Sequence, residues 1–197
     1  MLLKKACAGL FFSGILLLAS CNSENKSKNA DDNENLLAQN FDKSEKLFTV
    51  SKLISVDKGF ETFAKWVEAS DYYEKLGEKG PYTVFAPTNY AFENLYPGTV
   101  EKLTLPEEKE KVTSIIDYHI IPGLINEDDI FKAIDDHGGS VKLKTLGGKR
   151  LTATKKHGKV YLIDEKGNGA QLITANIEAE NGIVHTIDDV ILPKQKK

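Results

Sequence analysis

The chain has 197 residues, 41% apolar and 28% charged, enough for one globular domain with chain to spare. Its 26 Lys and Arg stand against 29 Asp and Glu, a formal charge of −3, so no nucleic acid is expected as a partner, since general binders are strongly basic. Two Cys and four His exclude a disulfide scaffold and a four-cysteine zinc site, and they supply imidazole ligands thinly.

Residues 1–20 read MLLKKACAGLFFSGILLLAS. Lys4 and Lys5 precede an apolar stretch from Ala6 to Ala19 that is broken only by Gly9, Ser13 and Gly14. A basic start, an apolar middle and small residues at the end form the plan of a secretory signal. The apolar run falls short of the ~20 residues that span a bilayer as a helix. Leu18-Ala19-Ser20-Cys21 resembles the lipobox of bacterial lipoproteins. That resemblance implies cleavage before Cys21 and acylation of its thiol, with several acyl chains giving a stable anchor. Cys7 would leave with the signal, so no pair of thiols would remain to form a disulfide. The first expected partner is therefore the membrane, reached through the lipid anchor. The expected location is the exported cell envelope, at the outer membrane or on the cell surface.

Residues 21–46 combine the lipidated cysteine with a run rich in Asn, Ser, Asp, Glu and Lys, the composition of a flexible polar tether. Its Asp31-Asp32-Asn33-Glu34 run is either plain solvation or an acidic sorting tag. Residues 47–193 are expected to form one domain, followed by a basic tail at 194–197.

Within that domain, Phe60, Phe63, Ala64 and Val67 recur at helical spacing, which predicts an amphipathic helix over 58–69 with Asp57 as its cap. Gly77, Gly80 and Pro81 break the chain. Tyr82 to Ala86 reads as a short strand. Thr88 or Asn89 then suits the cap of a short helix through Ala91, Phe92 and Leu95, stopped by Pro97-Gly98. Pro106, Glu107 and Glu108 favour the start of a helix running to about Tyr118, with Val112, Ile115 and Ile116 on one face. Pro122-Gly123 ends that segment. After Gly139 the period becomes two: Val141, Leu143 and Thr145 alternate with Lys142 and Lys144. Turn signals at Gly147-Gly148, His157-Gly158 and Gly167-Asn168-Gly169 separate further strand-like runs. Helices first and antiparallel strands later predict an α+β fold rather than alternating βαβ units.

Three segments stand in order: Tyr82-Thr83-Val84-Phe85-Ala86-Pro87-Thr88-Asn89-Tyr90-Ala91-Phe92, Asp117-Tyr118-His119-Ile120-Ile121-Pro122-Gly123, and Asn181-Gly182-Ile183-Val184-His185-Thr186-Ile187-Asp188-Asp189-Val190-Ile191-Leu192-Pro193. Together they resemble the two signature blocks and the Tyr-His block of the fasciclin domain family. The resemblance covers residues 47–193. It implies a compact wedge of antiparallel β-sheets with helices packed around it, and extracellular work in adhesion or matrix binding. Thr88, Asn89, Tyr118, His119 and His185 fall in the blocks and are read as structural. In adhesive animal members an Asp-Ile pair ahead of the last block is linked to integrin contact. The matching positions here are Asn176 and Ile177, where the carboxylate is missing, so integrin binding is not carried over. The two positions are kept as candidate binding residues.

No G-x-S-x-G elbow, H-E-x-x-H helix, Walker loop or dinucleotide glycine pattern occurs. Asp164 to Gly169 superficially resembles a calcium loop. Lys166 stands at a ligand position and Ala175 where the bidentate Glu belongs, so the segment reads as a hairpin turn. No cofactor, metal or catalytic residue is expected. One charge feature is kept: between Gly139 and Val160 lie Lys142, Lys144, Lys149, Arg150, Lys155, Lys156 and Lys159 without an acid. All but Lys159 are taken as candidate binding residues for an anionic glycan; otherwise they form a solvated face that guards a sheet edge. The expected function is a non-enzymatic, lipid-anchored envelope protein acting in adhesion or extracellular glycan or protein binding. A small-ligand binder or accessory subunit of an outer-membrane uptake system would need an apolar pocket between helix and sheet. An envelope hydrolase would need His119 or His185 beside a carboxylate and a nucleophile.

Overall fold

The computed structural model describes residues 47–194. The signal segment, Cys21, the tether and the end of the basic tail lie outside the described residues.

Helices α1 (Val50–Val56), α2 (Glu61–Ala69) and α3 (Tyr72–Lys75) come first. They are followed by β1 (Tyr82–Pro87), α4 (Asn89–Glu93), α5 (Thr99–Leu103), α6 (Lys109–His119), β2 (Ile120–Pro122) and α7 (Glu127–Asp136). Five strands close the domain: β3 (Ser140–Lys144), β4 (Arg150–Lys156), β5 (Lys159–Ile163), β6 (Gly169–Ala179) and β7 (Gly182–Ile187). Short 3₁₀ turns at Lys58–Phe60 and Pro106–Glu108 lead into α2 and α6. The helix expected over 58–69 is thus divided at Phe60, with the Asp57 carboxylate accepting from the Gly59 N–H of the 3₁₀ turn at 2.7 Å.

The strands form one sheet in the order β2-β1-β7-β6-β5-β4-β3. Neighbours run antiparallel except β1 and β7, which pair in parallel from Tyr82↔Gly182 to Pro87↔Ile187. Parallel strands need a long crossover, and everything between Thr88 and Asn181 serves as one. The two strands approach closely at their start, where a Cβ on Gly182 would lie 2.2 Å from the Tyr82 carbonyl oxygen. β6 is long and shifts register twice between Leu172 and Ile177. This bulged strand bends the sheet, pairing with β5 through its first part and with β7 through its second.

Two apolar clusters fill the interior. In the first, Val50, Ile54, Phe63, Trp66 and Ile116 from the helices pack on Val84 and Val184. In the second, Ile130 and Ile134 of α7 pack on Leu143, Leu151 and Leu162, with Phe85 and Tyr118 behind them. α7 does not emerge from turn and period signals alone, because its first turn reads as an acidic run. The structure supplies the reasons it forms. Asn126 and Asp129 make a reciprocal capping box, the acids at its start suit the helix dipole, and Ile130 and Ile134 lie on one face.

Asn89 takes a different role from the expected cap of its own helix. Its side-chain oxygen accepts from Thr62 N–H of α2 at 3.1 Å, and its amide donates to the Lys58 carbonyl at 2.7 Å. The Thr88 side chain makes no capping bond either. Its N–H instead extends the central pairing by donating to the Ile187 carbonyl at 3.1 Å.

Candidate functional site

The motif residues are occupied inside the fold. The Thr83 hydroxyl, fully buried, donates to the Gly123 carbonyl at 2.7 Å and accepts from Ile125 N–H at 2.9 Å. On the other side of that residue, His185 Nε2–H donates to the Ile125 carbonyl at 2.9 Å. His185 Nδ1 accepts from Asn176 N–H at 3.2 Å, which fixes the tautomer. The ring stacks on Phe85 with centroids 5.4 Å apart. Burial pushes its pKa down, so the ring is neutral.

Asn176 and Ile177 are separated by the bend in β6. Asn176 is exposed and left-handed at φ 60°, a conformation that Asn tolerates better than most residues. Its side chain accepts from Glu127 N–H at 2.9 Å, holding the start of α7. Ile177 packs against the first core cluster.

His119 ends α6 fully buried, its Nδ1–H donating to the Ile115 carbonyl at 2.8 Å and its ring 5.6 Å from Phe63. Burial lowers its pKa to about 4. Its neighbour Tyr118 donates to the Arg150 carbonyl at 2.9 Å, and burial raises that phenol to about 12. Among the described hydrogen bonds, neither His119 nor His185 meets a carboxylate or a nucleophile. Sequence reasoning missed the Tyr72 hydroxyl, which donates to Asp117 and accepts from Lys75 Nζ. It also missed Asn181, whose side chain accepts from Val50 N–H at 2.8 Å and donates to the Leu76 and Glu78 carbonyls. Asp117 lies 45 residues from Tyr72, and Val50, Leu76 and Glu78 lie more than 100 from Asn181, so local sequence carries no hint of these partners.

The basic hairpin residues do not form one group. On β3 and β4, Lys142, Lys144, Arg150 and Lys156 are exposed on the face away from α7, and Lys159 of β5 joins them. Lys155 has the opposite parity. Its ammonium meets Asp135 of α7 at 2.6 Å and lies 5.7 Å from the Phe131 ring centre. Lys149, in the turn, donates to the Lys194 carbonyl at 3.0 Å. The Asp164 segment joins β5 to β6 as a hairpin turn. Its carboxylate is taken by Lys166 N–H, Asn168 N–H and the Asn168 amide. Among the described residues no group of His, Cys, Asp and Glu is placed to hold a metal ion, and no helix is long and apolar enough to cross a membrane.

Two surface cavities are sizeable. One of about 830 Å³ lies beside the β6–β7 hairpin, between Asn126, Asp128, Asn176, Glu178 and Asn181. The other, about 680 Å³, has Leu103, Ile115, Leu192 and Pro193 in its walls, with Lys102, Lys111, Lys149 and Lys166 and the acids Glu108 and Glu110 around it. It lies between helices and the C-terminal segment, not between helix and sheet.

This arrangement, a bent sheet joined by a parallel pair of its first and last strands and wrapped by helices, defines a fasciclin-type domain. The chain belongs to the fasciclin family, whose domain profile matches residues 58–193. It is 41% identical over 145 residues to "Protein sll1483" of Synechocystis, covering 74% of this chain and 73% of that protein. It is 34% identical over 149 residues to "Transforming growth factor-beta-induced protein ig-h3" of Sus scrofa, covering 76% of this chain and only 20% of that longer protein. The fold matches a FAS1 domain pair from the insect cell adhesion molecule Fasciclin I with a TM-score of 0.66 and 21% identity. That match covers 75% of this chain and 51% of the insect chain.

Proposed function

We propose that this protein is a lipid-anchored, exported fasciclin-domain protein of the bacterial cell envelope. It acts without catalysis, in adhesion or in binding glycan or protein outside the cell. The observation that carries the reading is the order of parts along the chain. A lipobox-like Leu18–Cys21 precedes a polar tether, which precedes a single fasciclin domain. The interior histidines support a non-enzymatic role, because both ring nitrogens of His185 and Nδ1 of His119 are turned to backbone groups, and His119 Nε2 is buried without a polar partner. Sharing a domain type with an insect adhesion molecule supports adhesion.

The test is metabolic labelling with an alkyne fatty acid, combined with membrane fractionation and a cell-adhesion assay. Wild-type chain is expected to label, to fractionate with the envelope and to promote adhesion. A Cys21→Ala variant is expected to lose the label and the anchoring. A wild-type chain that carries no label, or a variant that stays membrane-bound, would refute the anchor. A second reading, capture of a small amphiphile, is favoured by the apolar-walled groove between α5, α6 and the C-terminal segment, where Lys149 and Lys166 stand beside Lys102 and Lys111 that are paired with Glu108. Saturable uptake of a fluorescent fatty acid, lost in Ile115→Glu, would support it.

A further inference from the structure

Resting on that envelope reading, we propose that the outer face of β3, β4 and β5 binds a linear acidic polysaccharide. Strand parity defines the face. Leu151 and Ala153 of β4 are fully buried toward α7, so Arg150, Thr152, Thr154 and Lys156 point the other way. The register sets Lys144 opposite Arg150, Lys142 opposite Thr152, Thr154 opposite Tyr161 and Lys156 opposite Lys159. The face therefore carries two directly opposed pairs of like charge. Such pairs destabilise a sheet, so stability does not account for them.

Counter-charge does not account for them either. The salt bridges among the described residues use Lys102, Lys109, Lys111, Lys132 and Lys155. None uses Lys142, Lys144, Arg150, Lys156 or Lys159. Guarding an edge explains Lys142 and Lys144, since β3 is the terminal strand. Lys156 and Lys159 flank the β4–β5 turn, past the last residues that pair with β3 and β6. There it is their direct opposition to each other, not their place on the strands, that edge guarding leaves unexplained.

The spacing indicates an extended ligand. Arg150 and Lys156 stand at the two ends of the seven-residue β4, about 20 Å apart at the usual strand rise. A compact anion would meet one pair only. Between the pairs lie Thr152, Thr154, Tyr161 and Gln171, half-buried and uncharged. Thr154 donates to the Gly139 carbonyl and Tyr161 to the Gln171 side chain, which leaves the Thr152 hydroxyl, the Gln171 amide N–H groups and the hydroxyl lone pairs to meet the hydroxyls of a sugar chain. The chain's net charge of −3 disfavours a densely charged polyanion on the surface at large, so attachment needs a local basic face such as this one.

The experiment uses the full lipidated chain in neutral detergent micelles. The probes are polygalacturonate and dextran sulfate, with uncharged dextran as control. Binding to an acidic polymer is expected, strongest for the carboxylate chain if uronates are the source and for dextran sulfate if sulfates are. It is expected to weaken several-fold as salt rises from ~0.01 M to ~0.15 M and the screening length falls from ~30 to ~8 Å. The variant K144Q/R150Q/K156Q/K159Q is expected to lose at least about tenfold in affinity, because each lost pair removes unscreened attraction. The variant K149Q/K155Q, equal in kind but off the face, is expected to change affinity less than about twofold. A thermal midpoint no lower than wild type shows that the face variant is folded.

Binding to neither polymer would overturn the proposal. So would equal loss in the two variants, or tighter binding to duplex DNA or to phosphatidylglycerol vesicles. Correct labelling and envelope display with no polysaccharide binding would overturn this inference alone, leaving the envelope reading intact.

Discussion

His185 Nδ1 accepts a hydrogen bond from the backbone of Asn176, and Asn176 in turn accepts one from the first residue of α7 through its side chain. A buried imidazole on the last strand is thus linked, through the bend in β6, to the helix that covers the second core. The same ring holds the Ile125 carbonyl, whose N–H is held by Thr83. The segment entering α7 is clamped from two strands at once.

Replacing His185 by Ala should therefore cost more than an ordinary core truncation. It strands a carbonyl and an N–H and leaves space beside Phe85. A loss of roughly 2–4 kcal/mol is expected from urea unfolding. His185→Ala at wild-type stability would show that the clamp is dispensable.

Acid should weaken the domain. Burial holds the His119 pKa down to about 4 and that of His185 below its ordinary value. In the unfolded chain both titrate near ~6.5, so below that pH the unfolded state binds more protons. Stability is fully present above about pH 6.5 and declines as pH falls toward the folded values. For His119 this is worth roughly 3 kcal/mol in all. Burial raises the Asp189 pKa and works in the opposite sense. Urea midpoints are expected to hold from pH 7.5 to about pH 6.5 and to fall from there to pH 5. In His119→Phe that fall should be shallower, and an identical profile in the variant would contradict the assignment.

Gly182→Ala should be among the worst single changes in the fold. The new methyl group would collide with the Tyr82 backbone oxygen, and no side chain can move to relieve a backbone contact. Separating β1 from β7 is expected to cost at least about 3 kcal/mol, read as loss of cooperative unfolding or of soluble protein.

Asn89→Ala should cost about 1–2 kcal/mol, since it removes a cap from α2 and a bond to the turn before it. Asn89→Asp keeps the acceptor for Thr62 N–H and should recover part of the loss. Thermal midpoints of the two variants give the comparison, and equal midpoints would show that the Thr62 bond contributes nothing.

Neutralising one member of an opposed pair, as in Lys144→Gln or Lys156→Gln, should raise stability by a few tenths of a kcal/mol. The gain should shrink in high salt. A loss of stability in either variant would mean that the pair has a partner that its register does not reveal.

Some of the structure is stated by period and punctuation in the chain itself. The helix face at Val112, Ile115 and Ile116, the alternation of Val141 and Leu143 and the turn at Asp164 all follow from neighbours in sequence. The parallel β1–β7 pair and the reach of Asn89 and Asn181 depend on residues far apart along the chain, and local pattern has no access to them. The basic run illustrates the boundary. Its composition was visible, but only the register divides Lys144 and Lys156 from Lys155, which turns inward to Asp135.

The parallel contact of β1 and β7 also sets an order of events. The strand that joins the two halves of the sheet is the last one in the chain. A chain threaded through a membrane from its amino terminus would present α1 to β5 on the far side while still lacking the strand that closes them. Such long-range closure is slow to form, and here it must wait for the final segment. The domain would therefore remain open, its two half-sheets unjoined, until β7 itself had crossed.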